Sequence, residues 1–185
     1  NELMTSGLIG GLLAIGVLYL FLRQAVTTLV VTLSVPFSLL ITLAALYFAG
    51  LSLNILTLMG LMLAVGMLVD NAVVVTENVF RLREPNPGDD PYRVTEKAVG
   101  NVGLAVIAGT ATSICVFAPI MLSKANDIAV FMTHVSVTIA VALIASLVIA
   151  QTLIPMLAAR VAPPRSRGAG RWMAGLKNVY AAALK

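Results

Sequence analysis

The sequence predicts an all-α fold, a polytopic bundle of membrane helices. Of the 185 residues, 59% are hydrophobic and 11% are charged, and the mean hydropathy is +0.99. Ordinary soluble domains carry about 25% charged residues. Charged residues are also absent from four long stretches, 3–22, 24–69, 98–123 and 128–159. Because a helix needs about 20 apolar residues to cross a bilayer, these stretches exclude an ordinary soluble protein.

Five membrane spans account for the uncharged stretches. The second and third spans share the stretch 24–69, where Gly50 suits the residue after a helix end and Ser52 or Asn54 suits the cap of the next helix. The fourth span follows the proline-rich break at 84–91. The predicted bundle covers 1–161, with spans at 3–22, 25–49, 54–81, 97–122 and 129–160.

The C-terminal segment differs in character from the bundle. Residues 162–170 are rich in proline, glycine and arginine, which predicts a cytoplasmic linker. In 171–185, Trp172, Leu176 and Tyr180 recur at helical spacing, which predicts an amphipathic helix on the membrane surface. A loosely ordered tail is the alternative.

The basic residues orient the spans. Under the positive-inside rule, connections rich in Lys and Arg face the cytoplasm. Alternate connections hold nearly all of the basic residues, and Lys124 stands alone on the opposite side. This pattern predicts an N-terminus outside the cytoplasm and a C-terminus inside it, and it explains the net charge of +4 without a nucleic-acid partner. The basic group comprises Arg23, Arg81, Arg83, Arg93, Lys97, Arg160, Arg165, Arg167 and Arg171.

Asp70 is the most informative residue because it lies in the middle of the third span. An acidic side chain at the centre of a membrane helix costs about 2.5–3.5 kcal/mol or more, and such groups usually mark an ion or proton pathway. A purely structural Asp, satisfied by neighbouring helices, is the alternative. Gly66, Asp70, Val74 and Glu77 fall on one stripe of the helix. The small Gly66 predicts a close helix contact there, with Asp70 facing the bundle interior.

Two neighbours of Asp70 are further candidates for a proton relay. Asn71 can donate and accept hydrogen bonds but cannot carry a proton. Glu77, about 10 Å along the helix by its rise, is either a second relay station or a side chain that is solvated or ion-paired, with Arg81 at i+4 as the obvious partner. The sequence offers no nucleotide-binding loop, no nucleophile–base arrangement and no convincing metal site, since His134 has no second ligand. We therefore expect neither catalysis, nor a cofactor, nor a bound metal.

The run GMLVDNAVVVTENVFR at 66–81 resembles the fourth membrane helix of resistance–nodulation–division (RND) transporters, in the branch that exports hydrophobic and amphiphilic drugs. The segments 18–24, 35–37 and 51–58 resemble the second and third membrane helices of that family, and 117–119 resembles its fifth helix. The resemblance covers the whole chain. It implies a fragment corresponding to the second to sixth membrane helices of the first half of a twelve-helix protomer.

The resemblance implies a function and a set of partners. Asp70 would carry the proton that drives drug export across the bacterial inner membrane, and Asn71 stands where the family has a second aspartate. The remaining half of the same transporter would supply the partners of Asp70, and its periplasmic domains would bind the drugs. Membrane lipids would surround the bundle. The family works as a homotrimer with a periplasmic adaptor and an outer-membrane channel. The alternatives are a relative that exports metal ions or lipids, and a non-transporting scaffold or sensor bundle.

Overall fold

The described part of the chain is a bundle of helices. The computed structural model describes residues 2–22, 24–83, 88–122 and 127–161, and these residues form helices and no strand. This confirms the predicted class, a helical membrane bundle. The predicted linker at 162–170 and surface helix at 171–185 lie outside the described residues. In chain order the helices are α1 (Glu2–Leu22), α2 (Ala25–Phe48), α3 (Ile55–Arg83), α4 (Pro91–Leu122), α5 (Asp127–Gln151) and α6 (Leu153–Arg160).

Most of these helices match the thickness of a membrane. Among the described residues, four helical segments are long and apolar enough to cross a bilayer, namely α2, α3, α4 and the segment Met132–Arg160, which joins most of α5 to α6. The described apolar part of α1 is shorter and runs from Ile9 to Leu20. Within the described chain, α1 packs only against α2, whereas α3 and α5 each contact several neighbours and form the centre of the bundle.

The turn between α2 and α3 is built from local signals in the sequence. Gly50 has a φ of 72°, a left-handed conformation that glycine adopts without steric cost. The amides of Leu51 and Gly50 donate to the carbonyls of Leu46 and Tyr47, which closes the end of α2 in a Schellman motif. Asn54 Oδ1 then accepts hydrogen bonds from two backbone amides at the start of α3, at 2.9 and 3.0 Å.

The segment predicted as a single helix at 129–160 contains a break. Helix α5 ends at Gln151 and α6 begins at Leu153. Pro155 accounts for the break, because proline has no N–H to donate to the carbonyl of Gln151, four residues earlier. Thr152 lies at the break, and its hydroxyl donates to the carbonyl of Val148 at 2.6 Å. The last two turns before residue 161 therefore form a separate short helix.

Helices α3 and α5 approach each other closely at Gly60. A methyl group at this position would lie 2.9 Å from both Thr138 Cβ and the carbonyl oxygen of Val135. Further along the same interface, the hydroxyl of Ser146 donates to the carbonyl of Leu68 at 2.9 Å. Small residues permit such contacts between membrane helices, where dispersion forces and hydrogen bonds provide the attraction. The contact with Leu68 fixes the backbone of α3 two residues before Asp70.

Arg83 connects the end of α3 to the end of α6. Its side chain is buried, with 7% of its surface exposed. The guanidinium group donates to the carbonyl of Ala158 and, at 2.6 Å, to the carbonyl of Val161. These carbonyls lie at the C-terminus of α6, where the helix leaves acceptors without partners in the helix and where its dipole favours a cation. Arg83 thereby holds the short helix against α3.

Replacing Arg83 with methionine should loosen α6 selectively. Hydrogen bonds to charged groups contribute about 1.5–3 kcal/mol, so their loss should speed amide hydrogen exchange in α6 by about tenfold or more. Exchange measured by mass spectrometry on the purified protein in detergent would detect this. Arg81→Met is the matched control, because Arg81 is exposed and donates within α3 to Asn78. Equal exchange of α6 in the two variants would contradict this role for Arg83.

Candidate functional site on helix α3

Asp70 lies on the outer surface of the described bundle. It sits midway along α3, and its side chain is exposed. The prediction that Asp70 faces the interior of this bundle is therefore wrong. The reason is that α3 packs against its neighbours through other faces, which carry small and branched apolar residues. Buried members of these faces include Ala64, Leu68, Ala72, Val75 and Val79.

The stripe that contains Asp70 is uncovered along its length. Gly66, Val74 and Glu77 are exposed as well. A methyl group added at Gly66 would have no atom of another described helix within 4 Å, so the close contact expected at this glycine does not occur within the described chain. A carboxyl group on a surface that faces hydrocarbon is costly. The stripe is thus the face of this bundle that most needs a polar or protein neighbour.

Asn71 turns away from the stripe toward α4. The hydroxyl of Thr110 lies 3.3 Å from Asn71 Oδ1 and 2.9 Å from the carbonyl oxygen of Val106, within hydrogen-bond distance of both. Asn71 Nδ2 is buried and has no hydrogen-bond partner among the described residues. Thr110 is itself 4% exposed. Asn71 is therefore held between two helices, beside an Asp70 that points outward.

The sequence did not single out Thr110. The buried positions Gly103, Val106 and Thr110 recur at intervals of three and four residues, a spacing that could place Thr110 on the packed face of α4. That spacing does not identify the residue on the other helix, because the register between α3 and α4 is set by packing over the whole interface. The contact with Asn71 became visible only in the structure.

Glu77 does not form the expected ion pair with Arg81. Glu77 is exposed, and Arg81 Nη2 instead donates to Asn78 Oδ1 at 3.1 Å. The buried Asn78 also donates through Nδ2 to the carbonyl of Ala98 on α4, at 2.6 Å. The amide of Asn78 thus offers Arg81 an acceptor already fixed by a second helix, and Glu77 remains on the stripe with Asp70.

Groups suited to a metal ion are absent from the described part of the chain. Within residues 2–22, 24–83, 88–122 and 127–161, no three His, Cys, Asp or Glu side chains lie close enough together to hold one. Cys115 is exposed on α4. The ionisable groups of the candidate site are therefore the carboxyl groups of Asp70 and Glu77, on one face of one helix.

A helical bundle with a carboxyl group in the middle of a central span belongs to the class of polytopic membrane proteins with an acidic residue inside the membrane. Comparison with known proteins identifies the family. The chain belongs to the AcrB/AcrD/AcrF family of RND transporters, whose family model matches residues 1–185. This confirms the resemblance found in the sequence.

The relatives found by comparison include multidrug resistance proteins. The chain is 38% identical to Multidrug resistance protein MdtC of Pantoea ananatis over 191 aligned residues, which cover 100% of the chain. It is 37% identical to MdtC of Pectobacterium carotovorum over 100% of the chain. It is also 37% identical to MdtC of Salmonella arizonae over 94% of the chain. The aligned region is 17–18% of the length of these relatives. The chain therefore corresponds to a small part of such a protein.

Proposed function

We propose that this chain is a membrane segment of a drug exporter driven by the proton-motive force, in which Asp70 carries the coupling proton. Asn71, the adjacent residue, takes part in the proposed relay site through hydrogen bonds and carries no proton itself. Glu77, on the same face about 10 Å along the helix, is a second station for the proton. The membership in the AcrB/AcrD/AcrF family and the similarity to multidrug resistance proteins support this proposal.

The observation that carries the proposal is the position of Asp70. The residue lies at mid-span on a face that the described helices leave uncovered. A carboxyl group in this position can exchange a proton with a pathway that runs between this bundle and whatever covers the face. A purely structural Asp would instead be expected to hydrogen-bond with neighbouring helices, and no such bond to Asp70 is made by the described residues. Asp70 therefore has no role in packing the described helices against one another, which supports the proposal that it carries a proton.

We also propose what completes the site. The remaining half of the same transporter would cover the stripe formed by Gly66, Asp70, Val74 and Glu77, and its periplasmic domains would bind the exported drug. The complete protein would reside in the bacterial inner membrane, with the N-terminus of this segment in the periplasm and its C-terminus in the cytoplasm. A homotrimer working with a periplasmic adaptor and an outer-membrane channel is the assembly expected for this family.

The source of energy can be tested directly. Cells that express the complete transporter carrying this segment are loaded with ethidium, and its efflux is followed by fluorescence. If protons drive export, a protonophore should stop efflux within seconds while cellular ATP is held constant with glucose. Efflux that continues after collapse of the proton gradient would contradict the proposal. Failure of the transporter to export ethidium above the level of vector-only cells would contradict the drug-export part of it.

A further inference from the structure

Arg81 lies within reach of two acceptors on its own helix. It is exposed near the end of α3, three residues after Asn78 and four after Glu77. Side chains three or four residues apart on a helix are neighbours, with Cβ atoms about 5–6 Å apart. In the structure Arg81 Nη2 donates to Asn78 Oδ1 at 3.1 Å, and Glu77 forms no ion pair among the described residues. Arg81 thus uses one of two acceptors that its side chain can contact.

The Asn78 amide joins Arg81 to the neighbouring helix. Asn78 is 5% exposed, and its Nδ2 donates to the carbonyl of Ala98 on α4 at 2.6 Å. Arg81 binds the other end of the same amide, so it fixes the orientation that this contact requires. Without Arg81, Oδ1 would be an acceptor with no partner among the described residues, and leaving a buried polar group unsatisfied is costly. The position of the Arg81 side chain therefore affects the contact between α3 and α4.

The stronger of the two acceptors depends on the charge of Glu77. An ionised carboxylate attracts a guanidinium group and can accept two parallel hydrogen bonds from it, whereas a protonated carboxyl group attracts it far less. The acceptor strength of the Asn78 amide does not change with pH. We propose that Arg81 is a positioning residue that donates to Asn78 while Glu77 is protonated and turns to Glu77 when Glu77 is ionised. This inference rests on the proposed function, in which Glu77 is the second station for the proton.

This alternation links the passage of a proton to the packing of two helices. When Glu77 binds a proton, Arg81 returns to Asn78 and holds the contact with Ala98, which is the arrangement in the structure. When Glu77 releases the proton, Arg81 turns outward and the Asn78 amide loses its second anchor. The first turns of α4 are then held less firmly against α3. A change of charge on the exposed face of α3 thereby reaches the buried face of the same helix.

The helices packed against α3 carry few other ionisable groups at this end. Helix α3 contacts α2, α4, α5 and α6. The ionisable groups of α2 and α5, namely Tyr47, Asp127 and His134, lie toward the other end of the bundle, where α3 begins. None of the groups of α4 and α6 at the near end forms an ion pair with Glu77 in the described chain, and these groups are Tyr92, Arg93, Glu96, Lys97 and Arg160. Arg81 is therefore the basic group that α3 itself holds one turn from Glu77.

Hydrogen exchange can test this switch without measuring transport. In the complete transporter in detergent, amide exchange from Pro91 to Asn101 is followed by mass spectrometry at acidic and alkaline pH and corrected for the intrinsic rates. At alkaline pH, Glu77→Gln should slow this exchange about fivefold relative to the wild type, the effect of one ordinary hydrogen bond. The reason is that Arg81 then stays on Asn78. At acidic pH the two proteins should exchange equally, and Arg81→Gln should exchange fast at both pH values.

A double variant and two controls identify the contact. If Glu77 acts through Arg81, then Glu77→Gln should have no effect on this exchange in a protein that carries Arg81→Gln. Glu96→Gln and Arg160→Gln make the same replacements at exposed positions outside the proposed site and should leave the pH dependence unchanged. Equal exchange in the wild type and Glu77→Gln at alkaline pH, or an equal effect of Glu77→Gln with and without Arg81, would overturn the inference. Normal ethidium efflux by Asp70→Asn would instead overturn the proposed function, which the exchange experiment does not measure.

Discussion

Replacing Asp70 with asparagine in the complete transporter should reduce ethidium efflux to the level of cells without the transporter, at normal membrane abundance. Asparagine has almost the same shape as aspartate and can still form hydrogen bonds, but it cannot bind and release a proton. Each proton that crosses the membrane provides about 2.3 kcal/mol per 100 mV. Without a group that carries the proton, this free energy cannot drive the conformational cycle. We therefore expect a complete loss of ethidium efflux.

The control variant must make the same replacement of a carboxyl group by an amide at a position outside the proposed relay. Glu96→Gln meets this requirement, because Glu96 is exposed on the first turns of α4 and forms no part of the proposed relay. Its efflux should equal that of the wild type. Membrane abundance is measured by immunoblot for every variant. Normal efflux by Asp70→Asn would mean that protons travel by another route or that another energy source drives export, and it would favour a structural role for Asp70.

The variant Glu77→Gln tests whether Glu77 relays the proton in addition to Asp70. Glu77 shares the exposed face of α3 with Asp70 and has no ion pair with Arg81. If it relays the proton, its replacement should slow efflux without abolishing it, because water could still reach Asp70 along the same face. The measurement is the initial rate of ethidium efflux at equal abundance. An unchanged rate would return Glu77 to the alternative reading, a solvated side chain near the end of a helix.

The features that the sequence predicted well are local or compositional. The long uncharged stretches identified the helices, and the turn between α2 and α3 followed from Gly50 and Asn54, whose conformation and capping depend on immediate neighbours. The position of Asp70 within a span was also readable. Each of these inferences depends on a few consecutive residues or on average hydrophobicity, which the sequence displays directly.

The features that the sequence could not predict depend on contacts between distant residues. The stripe through Gly66 and Asp70 is correct as a pattern on one helix, but a helix does not reveal which of its faces a neighbour will cover. In the described chain that face is open. Likewise, Arg83 looks in sequence like one of several basic residues at a helix end. Only packing shows that it is buried and donates to carbonyls of α6, more than 70 residues away.

Replacing Gly60 should have the largest effect on folding. A methyl group there would overlap Thr138 Cβ and the carbonyl oxygen of Val135, each at 2.9 Å, and the backbone oxygen can yield only if α5 shifts. Overpacking of this kind costs about 1–3 kcal/mol for small additions. Gly60→Ala should therefore lower the membrane abundance and the thermal unfolding midpoint of the purified transporter, and Gly60→Leu should prevent accumulation.

A matched glycine tests whether close packing, and not the loss of glycine itself, causes the defect. Gly109 lies in α4 with no atom of another described helix near its missing side chain, and alanine favours a helix by about 1 kcal/mol over glycine. Gly109→Ala should leave the unfolding midpoint unchanged or raise it. Equal midpoints for Gly60→Ala and the wild type would show that the α3–α5 contact is looser than the structure has it.

The variants Gly60→Ala and Asp70→Asn should reduce export for different reasons. Gly60 lies ten residues before Asp70 on the same helix, and the interface it shares with α5 also includes the hydrogen bond from Ser146 to Leu68. A shift of α5 should therefore disturb both the fold and the position of Asp70. In Gly60→Ala, efflux should fall together with abundance, and Thr138→Gly should restore both in part, since it removes one of the two overlaps. In Asp70→Asn, efflux should fall alone. Loss of efflux from Gly60→Ala at full abundance would instead place Gly60 in the transport pathway.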